Sequence, residues 1–271
     1  MRPKLTLALL LLQLVTASGA GAAPATPCPE TFLNFIATGT MTGLGACFSP
    51  ALVWSDDAGV STRPAATLEG LARLRRRARP DAPKWVVLSS GTTLLSGLSD
   101  LSFPWPGQLL VALDGPSPWT AVRVYRAARP WPEPVVGILP ADTRGAAEAD
   151  LAFNETMGAG DPAAWAAKWA PDGEFVSVVG PYKGADVRTF FERQTERYAA
   201  VRTSTARQHD RRADGSLVFE GNIRGRCRKE SRPFDFPFVM AVRASSGTIA
   251  FVYEAFTTLS DGCGPFWTTP H

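Results

Sequence analysis

Histidine is almost missing from this chain: of two in 271 residues, His209 lies inside and the other is residue 271. That scarcity excludes a histidine-rich metal site and argues against a Ser-His-Asp or Cys-His relay. His209 itself lies in RQHDRR near a hairpin end and reads as a solvated residue. The four cysteines show no C-x-x-C spacing, so neither a zinc ribbon nor a dithiol redox motif is indicated. Phosphate loops, nucleophile elbows and metal-ligand motifs are also missing, and neither a metal nor a cofactor is expected. Beyond Val15 no apolar run approaches the roughly 20 residues that a membrane-spanning helix needs, so no membrane span is expected.

What is present begins with MRPKLTLALLLLQLVTASGAGA, in which Arg2 and Lys4 precede an apolar run and Ala20 and Ala22 stand at A-x-A spacing. This reads as a secretory signal peptide over residues 1–22, which predicts a secreted or periplasmic protein. Without Arg2 and Lys4 the formal charge falls from +3 to +1, so charge gives no case for a nucleic-acid partner. The arginine runs LRRRAR and RGRCRKESR lack interleaved aromatics and read as solvated faces. Asn154-Glu155-Thr156 is a glycosylation sequon, meaningful only in a eukaryotic secretory route.

Four cysteines in an exported chain favour two disulfides. Cys28 opens the first helix pattern and Cys47 sits near the end of the second, ends that meet in an antiparallel hairpin. That pairs Cys28 with Cys47 and leaves Cys227 for Cys263.

Laid against itself with a shift of 121 residues, the chain repeats. Phe32 falls on Phe153, Ile36 on Met157, Thr40 on Asp161, Leu44 on Trp165, Phe48 on Trp169 and Pro50 on Pro171. Thr40 and Asp161 both suit a helix N-cap, and Pro162 suits the first helical position. TAVRVYRA (120–127) matches TIAFVYEA (248–255) at a shift of 128. In the second copy, helical periods cover residues 149–157, a short helix carrying both Trp165 and Trp169, and GADVRTFFERQTERY. From Val201 the period becomes two: Leu217, Phe219 and Ile223 form one row, Phe234 to Val242 another, and Ile249, Phe251 and Tyr253 a third. The first copy follows the same plan, with helices at MTGLGACF and LEGLARLRRRAR and strands at KWVVLSSGTTLL, GQLLVAL and TAVRVYRA. Domains are therefore expected at 28–129 and 148–262, joined by a Pro- and Ala-rich linker at 130–147.

The segment FNETMGAGDPAAWAAKWAPDGEFVSVVGPYKGADVRTFFERQ, followed by strands ending in GTIAFVYEAF, resembles the nuclear-transport-factor-2-like superfamily, in particular its SnoaL-like and ketosteroid-isomerase-like branch. The resemblance implies an α+β fold of two tandem cone-shaped domains, each with three helices packed on a strongly curved antiparallel sheet around an apolar pocket. It places Trp165, Trp169, Tyr182, Phe190 and Tyr253 as walls for a small apolar or aromatic ligand, with Trp165 the pocket wall and Trp169 the packing residue. It also implies that the two domains pair through their sheets within one chain. The base position of the isomerases falls near Ser177, and the strand expected to supply a second acid, FPFVMAVR, has none. In the first copy, VWSDDAG brings Asp56 or Asp57 to the base position, where Asp56 is a catalytic candidate or part of a solvated turn. Three readings stay open: a non-catalytic ligand-binding or accessory module, which the sequence favours; an isomerase-, cyclase- or dehydratase-like enzyme using Asp56; and an interaction module whose cones are filled by their own side chains.

Overall fold

The computed structural model describes residues 27–88, 90–102, 107–132, 160–211, 217–245, 248–257 and 263. The leader, the linker from residue 133, the helix expected at 149–157 and the Asn154 sequon lie outside these residues. Among the described residues no helix is long and apolar enough to cross a membrane.

The fold is α+β, and one order of elements occurs twice. In the first half, helix α1 (Cys28–Thr38) leads through a single 3-10 turn (Leu44–Cys47) into β1 (Phe48–Asp56) and β2 (Gly59–Ser61). Helix α2 (Pro64–Arg77) and strands β3 (Ala78–Val87), β4 (Thr93–Asp100), β5 (Gln108–Asp114) and β6 (Trp119–Ala127) follow. The second half gives α3 (Pro162–Ala166), β7 (Trp169–Ser177), β8 (Gly180–Lys183) and α4 (Ala185–Arg197). Strands β9 (Tyr198–Arg211), β10 (Leu217–Cys227), β11 (Pro233–Ser245) and β12 (Thr248–Phe256) complete it.

Local chemistry accounts for the ends of these elements. Gly39 closes α1 at φ 85°, and its N–H donates to the Phe35 carbonyl, a left-handed cap that a Cβ would disfavour. Asp161 caps α3 by accepting from the Ala164 N–H at 2.9 Å, with Pro162 next to it. The helix expected over MTGLGACF is reduced to the 3-10 turn, because Gly43 and Gly45 weaken a helix and Phe48 is already paired with Trp119 in the sheet. Trp169 is likewise corrected from helix to strand: α3 ends at Ala166 and β7 begins at Trp169, opposite Ile249. KWVVLSSGTTLL divides between β3 and β4, and β3 starts directly after α2. Pro80 and Pro83 are tolerated in β3 because it is an edge strand and its pairing skips between Pro80 and Lys84.

The twelve strands form one sheet in the order β3-β4-β5-β6-β12-β11-β10-β9, and the two halves join at Phe256 opposite Arg126. In each half the first strand adds parallel to the last: Trp54 of β1 faces Val122 of β6, and Phe175 of β7 faces Val252 of β12. This register equates Val122 with Val252, so the last strands correspond at a shift of 130 and not 128.

Each half has its own core. Phe32, Ile36, Leu44, Trp54, Leu71, Leu95, Val111 and Val122 belong to the first, and Trp165, Phe175, Phe191, Phe219, Phe238 and Val252 to the second. A third apolar cluster joins Leu94, Leu110, Ala112, Tyr125 and Trp131 of the first half to Val176, Val218, Val239, Ala241 and Tyr253 of the second, residues that belong to neither cone core. Cys28–Cys47 and Cys227–Cys263 are both bonded.

Candidate functional site

The chemistry of the second cone starts from two strands that lie side by side. On β7, Phe175 belongs to the cone core and Val176 to the opposite face, so alternation turns Ser177 back into the cone, fully buried. On β12, Val252 and Phe256 belong to the same core while Tyr253 and Ala255 belong to the opposite face, so Glu254 also points inward. Met240, opposite Glu254 on β11, lies in that core as well.

Glu254 is 4% exposed. Burial in this apolar surrounding pushes its carboxyl up to about 8, against a weaker downward pull from the Ser177 hydroxyl. Ser177 stands close enough for that pull, yet no hydrogen bond of good geometry joins the two. Glu254 Oε2, Ser177 Oγ and Trp169 Nε1 are all buried without a hydrogen-bond partner among the described residues. Buried polar atoms are normally satisfied, and each exception costs about 1 to 3 kcal/mol.

The surrounding wall is aromatic. Trp165 and Trp169 have ring centroids 4.8 Å apart, and both meet Phe175 edge-on. Phe190 of α4 lies 5.0 Å from Phe175 and 4.5 Å from Tyr182 of β8. Four of the expected wall residues, Trp165, Trp169, Tyr182 and Phe190, thus come together. Burial raises the Tyr182 phenol, with Arg193 acting to lower it and Glu254 to raise it.

Tyr253 is not part of this wall. It faces the opposite side of the sheet, donates to the Arg129 carbonyl at 2.9 Å and packs edge-on against Trp131 at 5.1 Å. The row Ile249, Phe251, Tyr253 is broken by a pairing irregularity between Ile249 and Phe251, which exchanges the faces of all residues after it. The same irregularity hid Glu254 from the sequence pattern. The signal that could have found it is the row Val252, Glu254, Phe256: an acid between two apolar residues at period two.

The first cone is built differently at the corresponding place. Asp56 occupies the position of Ser177, and Val124 that of Glu254. Asp56 is buried and fully engaged: Trp54 Nε1 donates to Oδ2 at 2.9 Å, Arg73 donates to Oδ2 from NH2 at 2.8 Å and from Nε at 3.1 Å, and the Ala58 N–H donates to Oδ1 at 2.8 Å. It is neither a free base nor a solvated turn. Beside it, Arg77 bridges Asp57 and Asp100 at 3.0 and 3.3 Å, and Arg126 meets the same two carboxylates at 3.2 and 3.4 Å. Burial works to raise Asp100, but the hydrogen bonds from Ser102 and the charges of Arg77 and Arg126 outweigh it and hold the carboxyl below its usual range. The acids of this cone are neutralised by the protein's own arginines.

Residues 151–252 match the family model described as a SnoaL-like domain. No curated protein matches the chain. Among solved structures, a putative SnoaL-like polyketide cyclase from Jannaschia is similar at 14% identity and TM-score 0.39, over 48% of this chain and 98% of that one. An NTF2-like protein from Anabaena variabilis is similar at 15% identity and TM-score 0.37, over 46% of this chain and 98% of that one. A protein of ketosteroid-isomerase-like fold from Catenulispora acidiphila, solved with trimethylamine, is similar at 18% identity and TM-score 0.36, over 44% and 95%. The second half of the chain, which carries this family-model match, is thus similar to SnoaL-like domains, and its β7 returns parallel onto β12.

Proposed function

We propose that the chain is an exported small-molecule-binding module whose second cone takes a small apolar or aromatic ligand bearing one polar group, and whose first cone is a closed companion domain. The observation that carries this reading is the pair Glu254 and Ser177, buried in an aromatic-lined cone with polar atoms that no described residue satisfies. A ligand that supplies the missing partner regains the cost of burying them. Trp165, Trp169, Tyr182 and Phe190 form its walls, with Glu254 and Ser177 its polar end. The first cone supports the companion role, because its carboxylates are already paired with Arg73, Arg77 and Arg126. Export rests on the leader over residues 1–22 and accords with two disulfides. The domain limits 28–129 and 148–262 follow the repeat and remain part of this proposal, as does the pairing of the two domains within one chain. Neither a cofactor nor nucleic acid enters it. Native mass spectrometry of the purified exported protein tests it: a small molecule released on denaturation is expected, and an identical mass before and after denaturation removes the ligand reading.

A second reading has one observation of its own. A carboxyl shifted to about 8 stands near neutrality, where it can both give and take a proton, as an isomerase-, cyclase- or dehydratase-like enzyme requires. Asp56 does not serve that reading, since Trp54 and Arg73 occupy its Oδ2. Deuterium exchange at the α-carbon of phenylacetone, lost in Glu254→Gln, is the expected outcome under this reading. No exchange anywhere between about pH 6 and 9 counts against it.

A further inference from the structure

Four other buried acids of known placement each have a guanidinium within reach: Asp56 has Arg73, Asp100 has Arg77 and Arg126, and Asp114 and Glu220 share Arg123. Glu254 is as deeply buried as these and has no cation among the described residues. We propose that the ligand of the second cone is a basic amine with an apolar body, whose protonated nitrogen stands against Glu254 and supplies the cation that the described residues do not. This rests on reading that cone as a ligand site.

The surroundings favour a cation over other polar groups. Phe175, Phe190 and Tyr182 lie in a chain of ring contacts at 5.0 and 4.5 Å, and aromatic faces attract ammonium groups most strongly when water is excluded. Ser177, on the strand beside Glu254, adds a hydroxyl oxygen that can accept from an N–H. The groups facing Glu254 are Ser177 from β7, Tyr182 from β8 and Met240 from β11. Arg193 of α4 acts on the Tyr182 phenol. Entry of the ammonium ion ionises the carboxyl. One proton leaves Glu254 for solvent, no bond to carbon changes, and the ion pair formed carries no net charge.

Isothermal titration of the full chain with three probes of one shape tests this: N,N-dimethylbenzylamine, its hydrocarbon isostere isobutylbenzene, and phenylacetone. The amine is expected to bind at least about tenfold more tightly than the other two. Its affinity should climb about tenfold per pH unit toward about 8, with a proton released in buffers of differing ionisation enthalpy. Glu254→Gln, which keeps the side-chain shape and cannot ionise, should lose amine binding while its circular dichroism is unchanged. Ser177→Ala should weaken binding modestly, which separates the charge from the cavity. Phenylacetone binding as tightly as the amine and surviving in Glu254→Gln overturns the amine assignment and leaves the ligand site standing. If none of the three binds, the amine assignment falls, and a native mass spectrum without any small molecule then removes the ligand site too.

Discussion

Arg123 of the first half grips Glu220 of the second with two hydrogen bonds, Nε to Oε1 at 2.7 Å and NH2 to Oε2 at 2.9 Å. The same guanidinium also donates to both oxygens of Asp114, and Tyr125 donates to Glu220 at 2.6 Å. One cation therefore serves two buried carboxylates, one from each half of the chain. Arg123→Met removes that cation and is expected to cost about 3 to 5 kcal/mol, because the carboxylates stay buried. Adding Glu220→Leu should recover part of the loss. Urea denaturation of the two variants measures it, and a single variant within about 0.5 kcal/mol of wild type contradicts the network's role.

The two indoles of the second cone differ in burial in the sense opposite to the sequence-based expectation. Trp165 is fully buried and stacks on Phe191, whereas Trp169 is 8% exposed. Trp165→Ala should then cost about 3 to 5 kcal/mol, and Trp169→Ala less. Chemical denaturation decides it. A greater loss for Trp169→Ala would make Trp165 the more open of the two walls.

Glu254 makes stability depend on pH with a definite sign. Its carboxyl holds its proton up to about 8 in the folded protein, against 4.5 for the free group. The folded state therefore binds more protons between those values, and the contribution present below about 4.5 is lost as pH rises toward about 8. Relative to Glu254→Gln, wild type should lose about 3 to 5 kcal/mol across that window. Parallel pH profiles for the two proteins would sink the assignment.

Both disulfides close loops within one half, with sequence separations of 19 and 36. Chain-entropy arguments give about 3 kcal/mol for Cys28–Cys47 and about 4 kcal/mol for Cys227–Cys263. Serine pairs at each bond should lower the denaturation midpoint accordingly. Non-reducing peptide mapping should recover only these two links; a Cys47–Cys227 peptide would falsify the pairing.

The sequence by itself determined the elements and their repetition. Local rules suffice for these: Asp161 and Pro162 start α3, the face Val187, Phe190, Phe191 defines α4, and alternation marks β10 to β12. The cysteine pairing was equally legible, since helix and strand order bring the partners together. Four of the aromatics, Trp165, Trp169, Tyr182 and Phe190, were named through the resemblance, and they belong to or pack against one core.

Only the tertiary structure decided which way the polar groups face. Strand parity depends on an irregularity between Ile249 and Phe251 that is present in the pairing of β12 with both β11 and β7, the second far away in sequence; it turned Tyr253 out and Glu254 in. Whether a carboxylate is free depends on what lies opposite: Arg73 reaches Asp56 from a helix turned back on its own sheet, while among the described residues nothing comparable reaches Glu254. Asp-Asp-Ala-Gly reads locally as a turn, and it became part of an ion-pair cluster because α2 brings Arg73 and Arg77 over it and β6 brings Arg126 from below. Element type is set by neighbours along the chain, but the charge state of a buried acid is set by the dielectric and counter-ions around it, and these exist only once distant strands have met.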